Sequence, residues 1–534
     1  MLFFYQSSVL SFCAVAVLLQ SAVFPISFVN SWQLFRSKRD TQKNTEEANN
    51  DALSHTLLLI SFDGFRWDYL QKAKGGTPNF DKFIKYGVSA KLGLTNAFVT
   101  KTFPNHFTIV TGLWEESHGI VANDMYDPSL NQTFTPSNQS AMEDPAWFSV
   151  GAEPIWVTNQ LQNPKGRSGV YMWVGGGAPI KWVRPSRYVP YSKKTKMETK
   201  INTLIDWFTD EYPINLGLLY SDEPDIAGHA YGPDSPEVIE KIKELDSSIG
   251  YLLKRLEEKN LLKSMNIIIT SDHGFTNTPE NKTIDLDLYI DPTSYKLTAT
   301  SPIANIWPNE GQLEKVYQGL KNGSESTKSF KVYKREEMPE RFHYTNNVRI
   351  SPLTAVAEDM YSFTSLLYPY PKAELGNHGY DNALQDMHPF FLAMGPSFKK
   401  NFALDTFNTV DIYPLMCHLL NVNPAPSNGS MEVVSKLLLG KEEKSSIVTL
   451  VTYIIGVFLI ALVAVHVKKK FGNLKNQGQV LKKLAANNHF FFCIIIYIMI
   501  FSLNFPGRLV LFVLIKLVSR ADPNSMNCLF VPVY

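Results

Sequence analysis

Short runs of apolar residues recur along the chain between residues 52 and 434, and polar or turn-forming residues bound them. Some of the runs are apolar at nearly every position rather than at alternate ones, and they span residues 56–62, 214–220 and 266–270. Such runs are typical of strands that are buried on both faces, as in a parallel sheet covered by helices. We therefore predict a largely parallel sheet in this part of the chain.

Helical patterns alternate with these runs. After Ser235 and a proline, apolar residues recur every three or four positions with Lys and Glu between them, which predicts a long amphipathic helix. Thr77 before a proline predicts the start of a shorter helix that stops at Gly87. Strands that alternate with helices indicate a layered α/β fold. Residues 282–371 are less regular and richer in Lys, Glu and Pro, and we interpret them as an insertion lying over the sheet.

The amino-terminal region has the features of a secretory signal. Residues 1–35 contain no Asp, Glu, Lys or Arg, and an apolar stretch within them ends in small residues, as a signal-peptide h-region does. We expect a signal peptide over about residues 1–24 and a polar linker over residues 25–51. A buried helix is one alternative. An uncleaved anchor is another, and the basic cluster that begins at Arg36 would then hold the rest of the chain in the cytoplasm.

A second apolar segment lies near the carboxyl end. Residues 447–467 contain no charged side chain and are long enough, at ~1.5 Å per residue, to cross a hydrocarbon layer of about 30 Å. Three lysines follow directly, which is a stop-transfer pattern with residues 468–489 inside and the body outside. We therefore predict a type I membrane protein with an extracellular domain over residues 52–434, with a secreted form as a variant. The apolar tail 490–534 is a second membrane segment, a re-entrant piece or sequence from an aberrant transcript.

Composition narrows the classes of function. The 534 residues carry 51 Lys and Arg against 50 Asp and Glu, so no global charge attracts nucleic acid and no nucleic-acid binding is expected. The apolar fraction of 45% excludes a disordered chain. Only Cys417 lies outside the apolar ends, which excludes a disulfide framework in the body. Glycosylation triplets in the predicted outer part begin at Asn131, Asn138, Asn281, Asn322 and Asn428.

Acidic residues and histidines follow the predicted strands, at the edge where open α/β sheets place their sites. They are Asp63, Asp225, His229, Asp272, His273 and His378. Any one of them is at least as well explained as a turn residue or a structural histidine, but the six together indicate a metal centre. Zinc takes this mixture of imidazole and carboxylate, and two metals about 3.5–4 Å apart form the clamp used for displacement at phosphorus.

A candidate nucleophile lies in residues 98–111, where Pro104 suits the first turn of a helix that ends before Gly112. Thr102 would then lie at the helix N-terminus, where a metal can deprotonate its Oγ and the helix amides favour an arriving phosphate. Without the metals, an ordinary threonine N-cap is the simpler interpretation.

Several long motifs carry a family resemblance. The stretches TKTFPNHFTIVTG, SFDGFRWDYL, EESHGIVANDMYDP, EPDIAGHAYGPDS, TSDHG and GNHGYDN occur together in this chain. With them the chain resembles the ectonucleotide pyrophosphatase/phosphodiesterases, from about residue 54 to residue 430. The resemblance implies an alkaline-phosphatase-like layered α/β/α fold with a mostly parallel central sheet, and a site with two zinc ions.

The same resemblance implies roles for single residues. One zinc is expected on Asp225, His229 and His378, and the other on Asp63, Thr102, Asp272 and His273. Thr102 is expected to attack phosphorus and form a phosphothreonine intermediate. Asn123 matches the residue whose amide, with the Thr102 backbone N–H, holds a non-bridging phosphoryl oxygen.

The substrate pocket is implied in the same way. Phe103 and Tyr191 match the aromatic residues between which relatives hold the base of a nucleotide. Lys101, beside the nucleophile, either attracts phosphate or is an ordinary solvated lysine. Where relatives have a Trp-Pro-Gly-Ser/Thr-Asp segment, this chain reads Trp173-Val174-Gly175-Gly176-Gly177, and it loses a carboxylate that shapes the pocket.

The favoured function is therefore a membrane-anchored, zinc-dependent ectoenzyme that cleaves phosphodiester or pyrophosphate bonds of extracellular nucleotides or dinucleotides. Two alternatives stay open. The same catalytic residues could belong to a lysophospholipid or choline-phosphodiester hydrolase. Alternatively, the protein is a cell-surface recognition protein whose metal site has little catalytic activity.

Overall fold

The computed structural model describes residues 55–368 and 374–440, and the backbone of residues 500–505, 508–517 and 527–533. The segments predicted as signal peptide, linker, membrane span and basic segment, residues 1–24, 25–51, 447–467 and 468–489, lie outside the described residues. Among the residues that are described, no helix combines the length and the apolar character needed to cross a membrane.

Eight strands form the main sheet of the body. Seen from one edge to the other, they are Phe402–Leu404, Val88–Ala90, Phe391–Met394, Met265–Thr270, Thr56–Phe62, Leu216–Ser221, Ser168–Tyr171 and Arg187–Val189. Only Phe391–Met394 runs antiparallel to its neighbours among these strands. The central strand Thr56–Phe62 is buried at every position and pairs in parallel on both sides. The prediction of a mostly parallel sheet is confirmed, and all three predicted strands lie within it.

Helices cover both faces of this sheet. Along the central strand, Leu57 and Leu59 belong to one buried apolar cluster, whereas Leu58 and Ile60 belong to another on the opposite face. Side chains alternate between the faces of a strand, so a strand between two helical layers must be apolar at every position. The longer helices of the two layers are Thr102–Thr111, Ile155–Gln162 and Ile412–Leu420 on one face, and Phe80–Tyr86, Met197–Thr209 and Pro236–Glu258 on the other.

Shorter elements complete the body. The remaining α-helices of the described body, apart from one in the inserted region, are Tyr69–Lys72, Glu115–His118, Gln139–Glu143, Pro145–Phe148, Asp225–Tyr231 and Met431–Val434. Two-stranded pairs join Met125–Asp127 to Gln132–Phe134, Thr276–Asn277 to Gly376–Asn377, and Thr283–Asp285 to Ser362–Thr364.

The region interpreted as a less regular insertion is more ordered than the sequence suggested. It contains a second, antiparallel sheet in the order Tyr295–Ala299, Ile303–Pro308, Leu353–Ala357 and Phe330–Lys334. The helix Leu313–Thr327 packs on it through Val316 and Leu320, within a separate apolar cluster. Its strands were missed because they are short, and because Lys331 and Lys334 interrupt the apolar pattern of one of them.

The shorter helix begins two residues later than predicted, with Asn79 rather than Thr77 in the N-cap position. The helix spans Phe80–Tyr86, and its N-terminus is capped by Asp246, whose Oδ1 accepts the N–H groups of Asn79 (2.9 Å) and Phe80 (2.8 Å). Asp246 lies on the long helix Pro236–Glu258, which begins as predicted with Ser235 accepting the Val238 N–H. A cap supplied from another helix leaves no local signal in the sequence.

The carboxyl-terminal unit contains a sheet of its own. Its strands Ile500–Phe505, Arg508–Leu517 and Asn527–Val533 form an antiparallel three-stranded sheet. A sheet of this kind was not among the interpretations of the tail 490–534.

Candidate active site

The six candidate metal ligands meet at the carboxyl ends of the central strands. Asp63 directly follows Thr56–Phe62, and its N–H donates to Ser221 O at the end of the neighbouring strand. The Asp225 N–H donates in turn to Asp63 O, which fixes the start of the helix Asp225–Tyr231. Asp272 and His273 follow Met265–Thr270. The predicted convergence is therefore what the structure shows.

The ligands fall into two groups, as the resemblance implied. In one group, His273 Nε2 lies 3.3 Å from Asp63 Oδ1 and 2.9 Å from Asp272 Oδ2. In the other, Asp225 Oδ1 lies 3.6 Å from His229 Nε2 and 3.4 Å from His378 Nε2. The stacked rings of His273 and His378, with centroids 3.4 Å apart, place the two groups side by side.

In each histidine of the two groups, the ring nitrogen Nδ1 lies at hydrogen-bond distance from a backbone carbonyl oxygen. Nδ1 of His229 lies 3.0 Å from Gly376 O, Nδ1 of His273 lies 2.9 Å from Gly274 O, and Nδ1 of His378 lies 3.0 Å from Thr100 O. A carbonyl can only accept, so each Nδ1 carries a proton and each Nε2 is the ring nitrogen that faces the carboxylates. This arrangement is typical of histidines that bind metal.

The carboxylates also fit a metal ion. One oxygen each of Asp63, Asp225 and Asp272 is buried and accepts no hydrogen bond of ordinary geometry, although burying an uncompensated charge is costly. Burial and the neighbouring carboxylates raise the pKa of Asp63 and, further, that of Asp225. Burial, together with the charges of Lys101 and His273, lowers the pKa of His229 to about 3, so that ring is neutral. A bound cation would relieve this concentration of negative charge.

The protonation of His273 is set by the neighbouring carboxylates. Burial opposes its protonation, but the carboxylates of Asp272 and Asp63 outweigh burial and raise its pKa to about 10. A proton on Nε2 then occupies the place between two carboxylates that a metal ion would take.

Thr102 is the first residue of the helix Thr102–Thr111. Its Oγ1 lies 3.4 Å from His273 Nε2 and makes no capping hydrogen bond, and the residue in the N-cap position is Lys101. The interpretation of Thr102 as an ordinary N-cap is therefore wrong. The hydroxyl lies instead beside the group formed by Asp63, Asp272 and His273.

Asn123 and Lys101 flank this threonine. Asn123 Oδ1 accepts the Phe103 N–H at 2.9 Å, which leaves its amide N–H groups as donors. Lys101 is not an ordinary solvated lysine, because its Nζ lies 3.2 Å from Asn377 Oδ1 and its stem packs against Gly379. Burial lowers the pKa of Lys101 to about 8.

Two clefts border Thr102 and the metal groups. The first, of about 270 Å³, is lined by Thr102, Phe103 and Tyr191 together with Val174 and Tyr220. The second, of about 220 Å³, is lined by Lys101, Asn123, Asp124, His229, Glu374 and residues 299–303 at the edge of the second sheet. The candidate nucleophile thus lines the first cleft, and its neighbour Lys101 lines the second.

The segment Val174-Gly175-Gly176-Gly177, which differs from the relatives, is closely packed at Gly177. A Cβ on Gly177 would lie 2.8 Å from the Tyr188 hydroxyl and 2.9 Å from Glu143 Cγ, so no side chain fits there without movement. The Tyr191 hydroxyl donates to Asp222 Oδ2 at 2.6 Å, which fixes this ring at the cleft.

Sequence reasoning missed the residues that support the ligands. Tyr220 OH donates to Asp63 Oδ2 at 2.5 Å, so the unpartnered Oδ1 is the oxygen offered to a metal. His106 Nδ1 lies 2.9 Å from Thr102 O, and its Nε2 lies 2.8 Å from Ser61 Oγ. His106 lies within a motif quoted above, but nothing in its local pattern distinguishes it from a packing residue.

The five asparagines of the glycosylation triplets, Asn131, Asn138, Asn281, Asn322 and Asn428, are all exposed. Exposure is what attachment of a glycan requires. Attachment itself stays a prediction.

The chain is similar to proteins of one known family. The family model "Type I phosphodiesterase / nucleotide pyrophosphatase" matches residues 57–381, which include every candidate metal ligand and Thr102. The fold and the site thus define a metal-dependent phosphodiesterase. The chain belongs to the type I phosphodiesterase/nucleotide pyrophosphatase family and is a hydrolase of that type.

Relatives agree with this assignment. The chain is 47% identical over 382 residues to human ectonucleotide pyrophosphatase/phosphodiesterase family member 5, which covers 72% of this chain and 78% of that protein. It is 43% identical over 384 residues to the human bis(5'-adenosyl)-triphosphatase ENPP4, with 72% and 82% covered. The crystal structure of murine family member 5, an inactive threonine-to-alanine variant in complex with AMP, superposes with a TM-score of 0.68 at 45% identity, over 72% of this chain and all of that one.

Proposed function

We propose that this protein is a zinc-dependent enzyme that hydrolyses a phosphodiester or pyrophosphate bond in nucleotides or dinucleotides, with Thr102 as nucleophile. The proposal rests on the position of Thr102 Oγ1. The residue begins a helix and lines the aromatic cleft, and its Oγ1 lies 3.4 Å from His273 Nε2. An inactive threonine-to-alanine variant was used to hold AMP in the murine relative, which supports a threonine in this role.

Zinc is the metal that the donor set favours, because each group combines imidazole nitrogen with carboxylate oxygen. Asp225, His229 and His378 would hold one ion, and Asp63, Thr102, Asp272 and His273 the other. Zinc ions in these places supply Lewis-acid stabilisation of the charge on the attacking and leaving oxygens.

The residues of this chain then perform the two transfers. Thr102 Oγ1 loses its proton to solvent and bonds to phosphorus as the bond to the leaving oxygen breaks, which gives a phosphothreonine. Water then attacks that phosphorus from the vacated side and loses a proton to solvent, and the bond to Thr102 breaks as Oγ1 regains a proton. Two inversions give net retention. The Asn123 amide and the Thr102 N–H would hold a non-bridging oxygen, and a neutral amide suits a singly charged diester.

The first cleft would take the nucleoside. Phe103 and Tyr191 line it and offer flat faces to a base, and stacking of this kind does not select strongly among bases. AMP in the murine relative supports a nucleotide here. The leaving group would lie in the second cleft, next to Lys101.

A second candidate substrate rests on the same second cleft. Asp124 and Glu374 line it, and carboxylates suit a cationic headgroup such as choline. A choline-phosphodiester or lysophospholipid would then be cleaved by the same residues.

The protein is further proposed to be a single-pass type I membrane glycoprotein, with a cleaved signal peptide over about residues 1–24, the span at 447–467 and the body in the extracellular space. The apolar segments and the exposed asparagines support this arrangement.

The test uses the full-length protein and the nitrophenyl ester of thymidine 5'-monophosphate, with and without a chelator. Thr102→Ala is expected to lose more than 99% of the activity of the parent protein, and chelation is expected to abolish the activity reversibly. Thr199→Ala serves as the matched control, because Thr199 is an exposed threonine in the first turn of another helix, Met197–Thr209.

Choline release measured beside nitrophenol release separates the two substrate classes. If the folded, zinc-loaded parent hydrolysed neither class, the proposal would be wrong and the recognition protein would be the better interpretation.

A further inference from the structure

Residues 96–101 form an irregular segment that leads into the candidate nucleophile. They belong to neither a helix nor a strand, and residues 96–100 are buried. Thr102 follows as the first residue of its helix. The backbone O of Thr100 lies 3.0 Å from Nδ1 of His378, which belongs to the metal group that contains Asp225. The segment therefore connects the nucleophile beside one metal group to a ligand of the other.

An asparagine of the nucleophile helix satisfies much of the backbone of this segment. A buried segment without regular structure pairs few of its own N–H and C=O groups, so it needs partners from elsewhere. Asn105 Oδ1 accepts the Ala97 N–H at 2.9 Å. Asn105 Nδ2 lies 2.9 Å from Val99 O and 3.2 Å from Lys101 O. One fully buried amide thus contacts three residues of the segment.

Glu115 binds the remaining polar group of Val99. It is the first residue of the short helix Glu115–His118, and its Oε2 accepts the Val99 N–H at 2.6 Å. Glu115 is fully buried, and its Oε1 makes no hydrogen bond within the described residues. Burial raises the pKa of Glu115 well above its usual value, which favours the neutral acid. Side chains therefore fix both the N–H and the C=O of Val99, three residues before Thr102.

Packing leaves the segment little room to move. Phe98 stacks on Phe342 with ring centroids 4.0 Å apart, and it meets Tyr344 edge-on at 5.3 Å. The Thr100 hydroxyl donates to Tyr380 O at 2.9 Å. Because a close-packed interior transmits small displacements, we expect the loss of one hydrogen bond here to shift the segment slightly and not to unfold it.

We propose that Glu115 and Asn105 are positioning residues, which hold residues 96–101 so that Thr102 and His378 keep the spacing needed for displacement at phosphorus between two metal ions. This inference rests on the proposed function. Neither side chain lines the first or the second cleft, so both act on the reaction through other residues. His273 Nδ1 faces Gly274 O, outside this segment. Loosening the segment should therefore weaken metal binding by the group of His378 more than by the group of His273.

Glu115→Met tests the proposal, because it removes the acceptor of the Val99 N–H and keeps a long side chain. Full-length protein is loaded with zinc, and the zinc released to graded chelator is measured with a colorimetric indicator. The variant is expected to release one ion per molecule about 10-fold more readily than the parent, while the second ion is held as in the parent. For the nitrophenyl ester of thymidine 5'-monophosphate, kcat is expected to fall about 10- to 100-fold and KM to change less than about threefold.

Two changes on the same short helix serve as controls. Glu115→Gln keeps an oxygen that accepts the Val99 N–H, and it is expected to retain the zinc release and the kcat of the parent. Glu116 Oε2 accepts the N–H groups of Thr345 (2.8 Å) and Asn346 (2.9 Å), away from the segment. Glu116→Met is expected to lower the unfolding midpoint in denaturant without changing zinc release or kcat.

Thr100→Val gives a second variant should Glu115→Met not fold. It removes only the hydroxyl that donates to Tyr380 O and leaves the shape of the side chain in place. The same selective release of one ion is expected, with a smaller fall in kcat.

Two results would overturn the proposal. One is equal loosening of both ions in the folded variants, and the other is a lower unfolding midpoint with zinc release and kcat unchanged. A parent that binds zinc but does not hydrolyse the ester would refute the proposed function alone, because selective release of one ion is measured without activity. A parent that binds no zinc would refute both.

Discussion

At the scale of single residues, hydrogen bonds decide which atoms are left for a metal. Each histidine of the two groups has Nδ1 at a backbone carbonyl, and Tyr220 occupies Oδ2 of Asp63. The remaining nitrogens and oxygens are therefore oriented before any ion arrives. Partners of this kind contribute to affinity without touching the metal.

Replacing Tyr220 by Phe tests this positioning role. The ring that lines the first cleft is kept and only the donor to Asp63 is lost, so we expect KM for a nucleotide ester to change less than twofold. Metal affinity is expected to fall about 10- to 100-fold. Graded chelation followed by metal analysis measures the affinity, and steady-state kinetics separate kcat from KM.

Tyr188→Phe is the control, because Tyr188 lines the same cleft without a bond to a metal ligand. Unchanged metal retention in Tyr220→Phe would show that Asp63 is oriented by its other contacts.

His118 makes the fold sensitive to acid. Its Nδ1 accepts the Ile120 N–H at 3.1 Å, and its Nε2 lies 2.9 Å from Thr108 Oγ1, so a second proton would face a donor. Burial lowers the pKa of His118 to about 3, whereas in the unfolded chain it is about 6.5. The unfolded state therefore binds more protons between these values, and stability is lost as the pH falls below about 6.5.

We expect the His118 contribution to reach about 2 kcal/mol of lost stability at pH 5 relative to pH 8. Denaturant unfolding at both pH values, for the parent and for His118→Asn, isolates this contribution from that of other groups. Equal pH dependence in the two proteins would contradict the assignment.

At the scale of elements, Arg349 attaches the inserted region to the body. It donates to Asp127 Oδ2 (2.7 Å), Gly119 O (2.8 Å) and Trp147 O (2.9 Å), and both members of the ion pair are buried. The inserted region matters for the site because residues 299–303 line the second cleft. Arg349 therefore helps to position residues that line the cleft proposed for the leaving group.

Arg349→Met is expected to lower the free energy of unfolding by about 3–5 kcal/mol, because it leaves Asp127 buried without its partner. Arg341→Met is the control, since Arg341 is about half exposed in its pair with Asp381 and is expected to cost less than about 1 kcal/mol. Equal unfolding midpoints in denaturant for the two variants would rule out the proposed attachment.

The elements also show what sequence can predict. The strands Thr56–Phe62, Leu216–Ser221 and Met265–Thr270 were found because burial on both faces makes their whole length apolar. The ligands Asp63 and Asp272 were found because they follow those strands. The Asp246 cap and the Tyr220–Asp63 bond join residues 166 and 157 positions apart, so no local pattern announces them.

At the scale of the whole molecule, the site is assembled from five separate parts of the chain, around Asp63, Thr102, Asp225, Asp272 and His378. The fold brings two buried aspartates, Asp63 and Asp272, and the partly buried Asp225 together against their mutual repulsion. A protein that binds metal only when folded gains stability from the ion, by about 2.7 kcal/mol per site at a free concentration of 100 Kd. Removal of the metal should therefore destabilise the entire body as well as stop catalysis.

Asp225→Asn separates the cost of carboxylate repulsion in the metal-free fold from the stability gained by binding metal. The pKa of Asp225 is raised well above its usual value, first by burial and then by Asp63, so its charge destabilises the metal-free fold. We expect the variant to unfold at higher denaturant than the parent in chelator, but at lower denaturant in zinc, because it lacks a proposed zinc ligand. Asp405→Asn, an exposed change, should leave both midpoints in place. If Asp225→Asn gained as much from zinc as the parent, Asp225 would not be a ligand. If Asp225→Asn is more stable than the parent in chelator but less stable in zinc, then Asp225 lowers the stability of the metal-free fold and raises that of the metal-bound fold.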